Sequence, residues 1–195
     1  MDLVEIIKTA GYLGLFGIIF AESGLFFGFF LPGDSLLFTA GFLASQGFLN
    51  VYLTALLVFI AAVTGDSVGY AFGRKVGPAI FKKEDSRFFK KEYLMKAEKF
   101  YEKNGPKTII IARFIPIVRT FAPIVAGVGN MNYSKFVKYN IIGGFFWSVG
   151  LTFAGYFLGK TIPGVDKYLL PIILLIIILS IAPSAVHLLK NRKNV

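Results

Sequence analysis

The residues with the greatest chemical potential are four charges that lie inside apolar stretches of the sequence. Glu22 and Asp34 are in the first half of the chain, and Arg113 and Arg119 are in the second. A charge at the centre of a bilayer costs about 2.5–3.5 kcal/mol on the insertion scale. Four unpaired charges would cost roughly 10 kcal/mol, which is comparable to the whole net stability of many proteins. These residues must therefore pair with one another or line a wet cavity.

Arginine and carboxylate side chains together favour a site that binds an anion and responds to protons. The planar guanidinium groups of Arg113 and Arg119 suit phosphate oxygens. The N-termini of helices that begin at a break within a hairpin would add positive dipole ends. A carboxyl group in that setting could take up a proton and release an arginine for substrate. The alternative is a structural lock of ion pairs. Asp66 is a further candidate, either within the site or bonded to nearby backbone.

The composition argues against an enzyme and against a bound metal or cofactor. The chain has no Cys and a single His, His187. It therefore offers no thiol nucleophile, no Cys metal site and no His cluster, and we find no nucleophile placed beside a base. His187 lies next to the basic tail, which favours a position at the membrane interface. We expect no catalytic residue, no metal and no cofactor.

The elements that carry the buried charges are predicted to be membrane helices. Hydrophobic residues make up 55% of the 195 residues, including 22 Phe, which is more apolar surface than a soluble domain of this size could hide. The net charge of +10 is concentrated between Arg74 and Lys107 and at the C-terminus. Beside apolar segments, this pattern indicates positive-inside topology and contact with anionic headgroups rather than nucleic acid.

Helix-breaking residues interrupt the first apolar stretch, residues 10–47. Pro32 and Gly33 break a helix there, and Asp34 could cap the next one. The apolar piece that follows, residues 35–44, is too short to cross a bilayer. The pattern predicts a re-entrant hairpin with Pro32 and Gly33 at its tip, inside the membrane.

The rest of the chain comprises three spans, a basic segment and a second hairpin. Residues 51–73 are long enough to span. Residues 74–107 are basic, include an amphipathic helical pattern, and are predicted to be cytoplasmic. A second re-entrant hairpin is predicted at residues 108–129, with Pro116 and Pro123 at its tip. Further spans are predicted at 136–158 and 168–189, so that the basic C-terminus is also cytoplasmic.

The two halves share special positions when one is slid along the other by 86 residues. Ala40-Gly41 then falls on Ala126-Gly127, and Gly69-Tyr70-x-x-Gly73-Arg74 falls on Gly155-Tyr156-x-x-Gly159-Lys160. Paired broken segments in corresponding places point to a transporter site. We therefore predict a single all-α integral membrane domain over residues 1–195. It has two inverted repeats, each a re-entrant helical hairpin plus a spanning helix, and an extra C-terminal transmembrane helix.

Several motifs surround the charged positions: Glu22, Phe30-Leu31-Pro32-Gly33-Asp34, Gly65-Asp66-x-x-Gly69-Tyr70-x-x-Gly73-Arg74 and Ala112-Arg113-Phe114-Ile115-Pro116-Ile117-Val118-Arg119-Thr120-Phe121-Ala122-Pro123-Ile124-Val125-Ala126-Gly127. Through them, nearly the whole chain resembles the DedA family of bacterial membrane proteins, related to the VTT domain of eukaryotic lipid scramblases. The positions that match the family's required acids are Glu22 and Asp34. Those that match its required arginines are Arg113 and Arg119, and none of the four departs from the pattern.

The resemblance implies two re-entrant hairpins and a role in lipid-carrier handling and envelope maintenance at the bacterial cytoplasmic (inner) membrane. Members are implicated in returning undecaprenyl phosphate across that membrane, and others in phospholipid flipping. The process is thought to depend on the proton motive force.

The leading hypothesis is a lipid-phosphate translocase. Arg113 and Arg119 would bind the headgroup, and Glu22, Asp34 and Asp66 would couple that binding to protons. The expected partners are membrane lipids, with polyprenyl phosphate or phospholipid as substrate, protons, and a second copy in a possible homodimer. The rivals are a proton-coupled antiporter of small ions or cationic drugs, a phospholipid scramblase, an intramembrane lipid phosphatase and a structural scaffold.

Overall fold

A computed structural model of the protein describes residues 3–25, 31–81, 101 and 103–161. Within these ranges every regular element is helical and no strand occurs, which confirms the predicted all-α class. The helices in chain order are α1 (Leu3–Gly24), α2 (Gly33–Ser45), α3 (Val51–Phe81), α4 (Lys107–Ala112), α5 (Pro116–Val128), α6 (Tyr133–Gly144), a π-helical turn (Phe145–Val149) and α7 (Gly150–Thr161).

Three predicted features fall on residues that the structure does not describe. They are most of the basic segment, at residues 82–100, the C-terminal span at 168–189, and His187. The described residues cover most of the two predicted hairpins and the predicted spans 51–73 and 136–158.

Two helices in the described part are long and apolar enough to cross a membrane. One covers Val51–Gly77, with 27 residues, and the other Tyr133–Thr161, with 29 residues. At about 1.5 Å per residue each is roughly 40 Å long, which exceeds a hydrocarbon core of about 30 Å. The predicted spans 51–73 and 136–158 lie inside these two helices.

Large apolar side chains cover the outer face of the described helices. Leu13 is 87% exposed, Tyr52 74% and Phe146 62%, and many other large apolar side chains are also exposed. A soluble monomer rarely exposes apolar side chains on this scale. The face is suited to contact with lipid chains.

The first helix differs in its bounds from the predicted apolar stretch. α1 begins at Leu3, bends at Gly11, where φ is 56° and ψ is −148°, and ends at Gly24. The helix therefore ends well before Pro32, which precedes α2. The apolar part of α1 that follows the bend, Gly11–Gly24, is too short to be counted among the spanning helices.

Close helix packing joins the two halves of the chain. α2 packs along α7, and α3 packs along α5 and α1. At Gly41 a Cβ atom would overlap the carbonyl oxygen of Thr152, and at Gly127 it would overlap that of Tyr70. Gly41 and Gly127 are the positions that the 86-residue shift superposes. Both therefore let one backbone approach another, as small residues do in membrane helix pairs.

This packing predicts a large difference between two glycine substitutions. Gly127→Ala places a methyl group against the α3 backbone, and we expect the free energy of unfolding to fall by about 1–3 kcal/mol, as overpacking does. Gly150→Ala is the matched control, because nothing lies within 4 Å of its Cβ position, and we expect a change within about 1 kcal/mol. Thermal unfolding in detergent measures both. Equal melting temperatures for the two variants would contradict the packing.

A second core lies between α3, α4, α5 and α6. Tyr70 donates its hydroxyl to the carbonyl of Met131 and stacks on Phe136 at 4.6 Å. The Tyr101 hydroxyl donates to the carbonyl of Ala122 at 2.9 Å. Burial raises the pKa of Tyr101 well above its usual value, so the phenol remains a neutral donor that fastens the chain before α4 to α5.

Candidate functional site

The five ionisable residues singled out in the sequence lie on five different parts of the fold. Glu22 is in the last turn of α1, Asp34 in the first turn of α2, and Asp66 in the middle of α3. Arg113 follows α4 directly, and Arg119 is the fourth residue of α5. Their side chains converge into two adjoining ion clusters.

The outer cluster consists of Arg119, Glu22, Asp34 and Trp147. Arg119 donates through Nη2 to Glu22 and through Nη1 to Asp34. Trp147 donates its indole N–H to the same Asp34 oxygen, Oδ1, at 2.8 Å. The side chains of Arg119 and Asp34 keep 12% and 16% of their surface exposed, whereas Glu22 keeps 1%. This cluster therefore has a partly open side formed by Arg119 and Asp34.

The inner cluster consists of Arg113, Asp66 and Asn140. Arg113 donates to the Asp66 carboxylate, to Asn140 Oδ1 at 2.6 Å and to the carbonyl of Ala62 at 3.3 Å. Asn140 in turn donates to the carbonyl of Val63 at 3.0 Å. The side chains of Arg113 and Asp66 are only 4% and 6% exposed. Arg113 is therefore enclosed, and its charge is balanced by the Asp66 carboxylate.

Trp147 contacts an arginine of each cluster. The guanidinium carbon of Arg119 lies 4.7 Å from the ring centroid, and that of Arg113 lies 5.5 Å from it. Both distances are within the range of cation–π attraction. The indole ring therefore joins the two clusters into one continuous charged site.

A break between α4 and α5 positions the two arginines. α4 ends at Ala112, Ile115 is extended with φ −115° and ψ 108°, and Pro116 begins α5. Proline suits this position because its missing N–H would have no helical partner there and its φ already matches the helix. The break aims Arg113 toward α3 and α6, and Arg119 toward α1 and α2.

Two glycines make room for the charged groups. At Gly33 a Cβ atom would overlap the Glu22 carboxylate, so the first turn of α2 lies directly against that acid. At Gly144 a Cβ would lie 3.6 Å from the guanidinium carbon of Arg113 and 3.0 Å from Val63. A larger residue at Gly33 would displace the acid that pairs with Arg119.

Three buried polar atoms make no hydrogen bond to any described residue: Glu22 Oε2, Arg113 Nε and Thr120 Oγ1. Two of them belong to the ion clusters, and Thr120 follows Arg119 directly. Buried polar atoms normally have partners, and an unpaired one in a native structure often meets water or a ligand. Spare capacity for polar contacts therefore exists inside the site.

Two sequence predictions about this region are wrong. Pro123 does not lie at a hairpin tip; it lies inside α5, where a proline removes one backbone hydrogen bond, a loss that membrane helices tolerate. Asp34 does not cap α2. Pro32 occupies the N-cap position without a side-chain hydrogen bond, because the Asp34 carboxylate is engaged by Arg119 and Trp147.

Two residues of the site, Asn140 and Trp147, are not predicted from the sequence. Both lie in a long apolar helix where nothing in the local pattern separates them from core residues. The signals that could have found them are an amide inside an apolar segment and the fact that the chain has a single Trp. Among the described residues, no group of three or more His, Cys, Asp or Glu could hold a metal ion.

Comparison with known proteins defines the class of this membrane protein. A family model, the VTT domain, matches residues 31–157. Protein DedA of Escherichia coli (strain K12) is 48% identical over 99% of this chain and 90% of its own length. An uncharacterized membrane protein of Mycobacterium leprae (strain TN) is also 48% identical, over 87% of this chain and 75% of its own. Inner membrane protein YqjA of Escherichia coli (strain K12) is 37% identical over 93% and 85%.

The chain belongs to the DedA family of VTT-domain membrane proteins, which confirms the resemblance seen in the motifs. No solved structure matches it. Two of these relatives are named as membrane proteins, and YqjA is named as an inner membrane protein. The matched range 31–157 contains Asp34, Asp66, both arginines and Trp147.

Proposed function

We propose that this protein carries a lipid phosphate, undecaprenyl phosphate or a related one, across the bacterial cytoplasmic membrane and catalyses no covalent reaction. The observation that carries the proposal is the asymmetry between the two arginines. Among the described residues, Arg119 donates its hydrogen bonds to two carboxylates and lies at the partly open side of the site, whereas Arg113 is enclosed by fixed partners. A phosphate headgroup would therefore reach Arg119 first, with its prenyl or acyl chain remaining in lipid.

Proton uptake is the proposed means of freeing Arg119. Glu22, Asp34 and Asp66 contribute three negative charges and the two arginines contribute two positive charges, so the site carries a formal charge of −1. A proton on Glu22 or Asp34 removes one attraction on Arg119 and makes the site neutral. The guanidinium can then donate its N–H groups to phosphate oxygens, for which its planar fork is suited. Loss of the proton on the other side would re-form the ion pairs and expel the phosphate.

We propose the topology that such carriage requires: two inverted repeats whose re-entrant hairpins meet at the ion clusters. The 14 residues of Gly11–Gly24 form a helix of about 21 Å, short of a hydrocarbon core of about 30 Å. The crosswise packing of α2 on α7 and of α5 on α3 is what a repeated unit of hairpin and long helix would give. The basic segment 74–107 and the C-terminus would then be cytoplasmic.

Reconstitution tests the proposed function. Proteoliposomes that contain the protein and undecaprenyl phosphate should move this lipid between leaflets faster than empty liposomes. Acidifying the side that loads the lipid should raise the rate. Glu22→Gln should lose most of that acid response, since its amide cannot take up or release a proton beside Arg119, whereas Glu92→Gln, in the basic segment, should keep it. A wild-type rate equal to that of empty liposomes would contradict the proposal.

A proton-coupled antiporter of small ions or cationic drugs is the second candidate. The excess of one carboxylate over the arginines favours it, because a cation could replace a proton at the acids. The same proteoliposomes separate the two candidates when they are loaded with a pH-sensitive dye. Proton release on adding a cation, without movement of undecaprenyl phosphate, would favour the antiporter. Equal movement of ordinary phospholipid without a proton gradient would indicate a scramblase.

A further inference from the structure

Trp147 occupies an unusual place in its helix. It is the middle residue of the π-helical turn Phe145–Val149, which interrupts the long helix between α6 and α7. π-helical turns are rare and occur frequently at functional sites. The side chain is 2% exposed, yet it faces ion clusters rather than apolar residues alone. The extra residue of the turn therefore aims a donor group at the charged site.

The indole N–H and Arg119 converge on a single oxygen atom. Trp147 Nε1 lies 2.8 Å from Asp34 Oδ1, and Arg119 Nη1 donates to that same oxygen. Two donors fixed on one carboxylate oxygen also suit a phosphate oxygen, which has similar size, charge and acceptor geometry. Asp34 Oδ1 therefore stands where an oxygen of an anionic headgroup would lie after the carboxylate has moved away.

The ring also keeps Arg119 in place when its acids are neutral. The guanidinium carbon lies 4.7 Å from the ring centroid, so cation–π attraction continues after a proton has removed the charge of Glu22 or Asp34. Arg119 would otherwise lose its anchors at the moment when substrate must bind. The charged groups that face the ring are Asp34 of α2, Arg119 of α5 and Arg113 after α4.

We propose that Trp147 is a substrate-binding residue whose indole N–H donates to the phosphate headgroup together with Arg119, in the position that Asp34 Oδ1 occupies in this structure. This inference rests on the proposed function, since it names a further contact of the same lipid phosphate. It also assigns Asp34 a second role as the internal anion that the substrate displaces.

Substitution at Trp147 separates the N–H from the ring. Trp147→Phe keeps a ring but loses the donor, and we expect the half-saturating concentration of undecaprenyl phosphate to rise about ten-fold, as loss of one hydrogen bond to a charged group does, with the maximal rate within about two-fold of wild type. Trp147→Leu loses both and should also lose most of the maximal rate. Phe157→Leu is the control, because it removes an exposed ring of α7 and should leave half-saturation unchanged.

Fluorescence tests the same contact without any variant, because Trp147 is the only Trp in the chain. Adding undecaprenyl phosphate to the protein in nanodiscs should change the emission, and adding undecaprenol, which lacks the phosphate, should not. If the wild type moves the lipid but neither its emission nor the half-saturation of Trp147→Phe changes, the inference fails and the proposed function stands. If the wild type moves no undecaprenyl phosphate at all, the proposed function fails with it.

Discussion

Arg119→Ala is expected to reduce the transport of undecaprenyl phosphate by at least about 100-fold. The truncation removes the partly open cation of the site and both of its carboxylate contacts. Removing one partner of a buried charge pair typically costs about 2–5 kcal/mol, and each 1.4 kcal/mol is a factor of ten. Initial rates in proteoliposomes measure the effect. The protein should still fold, because the two freed carboxyl groups can take up protons.

Arg119→Lys tests whether a positive charge at this position is sufficient for transport. Arg119 holds Glu22 with one terminal nitrogen and Asp34 with the other, and a single ammonium group cannot reproduce that fork. We expect Arg119→Lys to recover little of the lost rate. Arg74→Ala is the matched control, since it removes an equal charge from an exposed arginine whose nitrogen lies 3.2 Å from the Tyr70 hydroxyl. If Arg119→Ala and Arg74→Ala transported equally well, Arg119 would not be the binding residue.

Asp66→Asn is expected to have the largest effect on stability. It leaves the buried guanidinium of Arg113 without its counter-charge, although Asn140 still accepts one hydrogen bond. Breaking a buried ion pair from one side costs about 3–5 kcal/mol. The melting temperature in detergent should therefore fall steeply. The melting temperature of Asp34→Asn should fall less, because Arg119 keeps its ion pair with Glu22 and lies at the partly open side of the site.

The charge exchange Asp66→Arg with Arg113→Asp separates a binding site from a structural lock. The exchanged pair should regain part of the stability lost in Asp66→Asn, since opposite charges again face each other. It should not regain transport, because a carboxylate at position 113 cannot support an anion beside Arg119 and Trp147. Wild-type transport in the exchanged protein would instead show that the inner cluster only locks the helices together.

The identities of the buried charges could be predicted from the sequence, but their pairing could not. The cost of charge in lipid requires Glu22, Asp34, Arg113 and Arg119 to find partners, whatever the fold. The sequence analysis matched the acids of one hairpin with the arginines of the other as a group. In the structure Arg119 takes both of those acids, and Arg113 pairs with Asp66 of α3. That choice depends on the rotation of each helix about its axis, which hydropathy does not encode.

Neutral members of the site are harder to predict than its charges. Asn140 and Trp147 sit in an apolar helix, and neither has a cost in lipid large enough to demand a partner from the sequence alone. The register that turns Trp147 toward Asp34 arises from the π-helical turn Phe145–Val149, and no composition signal marks such a turn. Pro123 shows the opposite error, since its residue type predicted a break in the chain where none occurs. A proline can end a helix or, as in α5, lie inside one.

The most direct test is a structure of the protein in lipid nanodiscs with undecaprenyl phosphate bound. Phosphate density within hydrogen-bond distance of both Arg119 and the Trp147 indole nitrogen, with the Asp34 carboxylate moved away, is the expected result. The prenyl chain should leave the site toward the lipid. Headgroup density confined to the basic segment 74–107, with the Arg119 ion pairs intact, would contradict a lipid-phosphate site at this position.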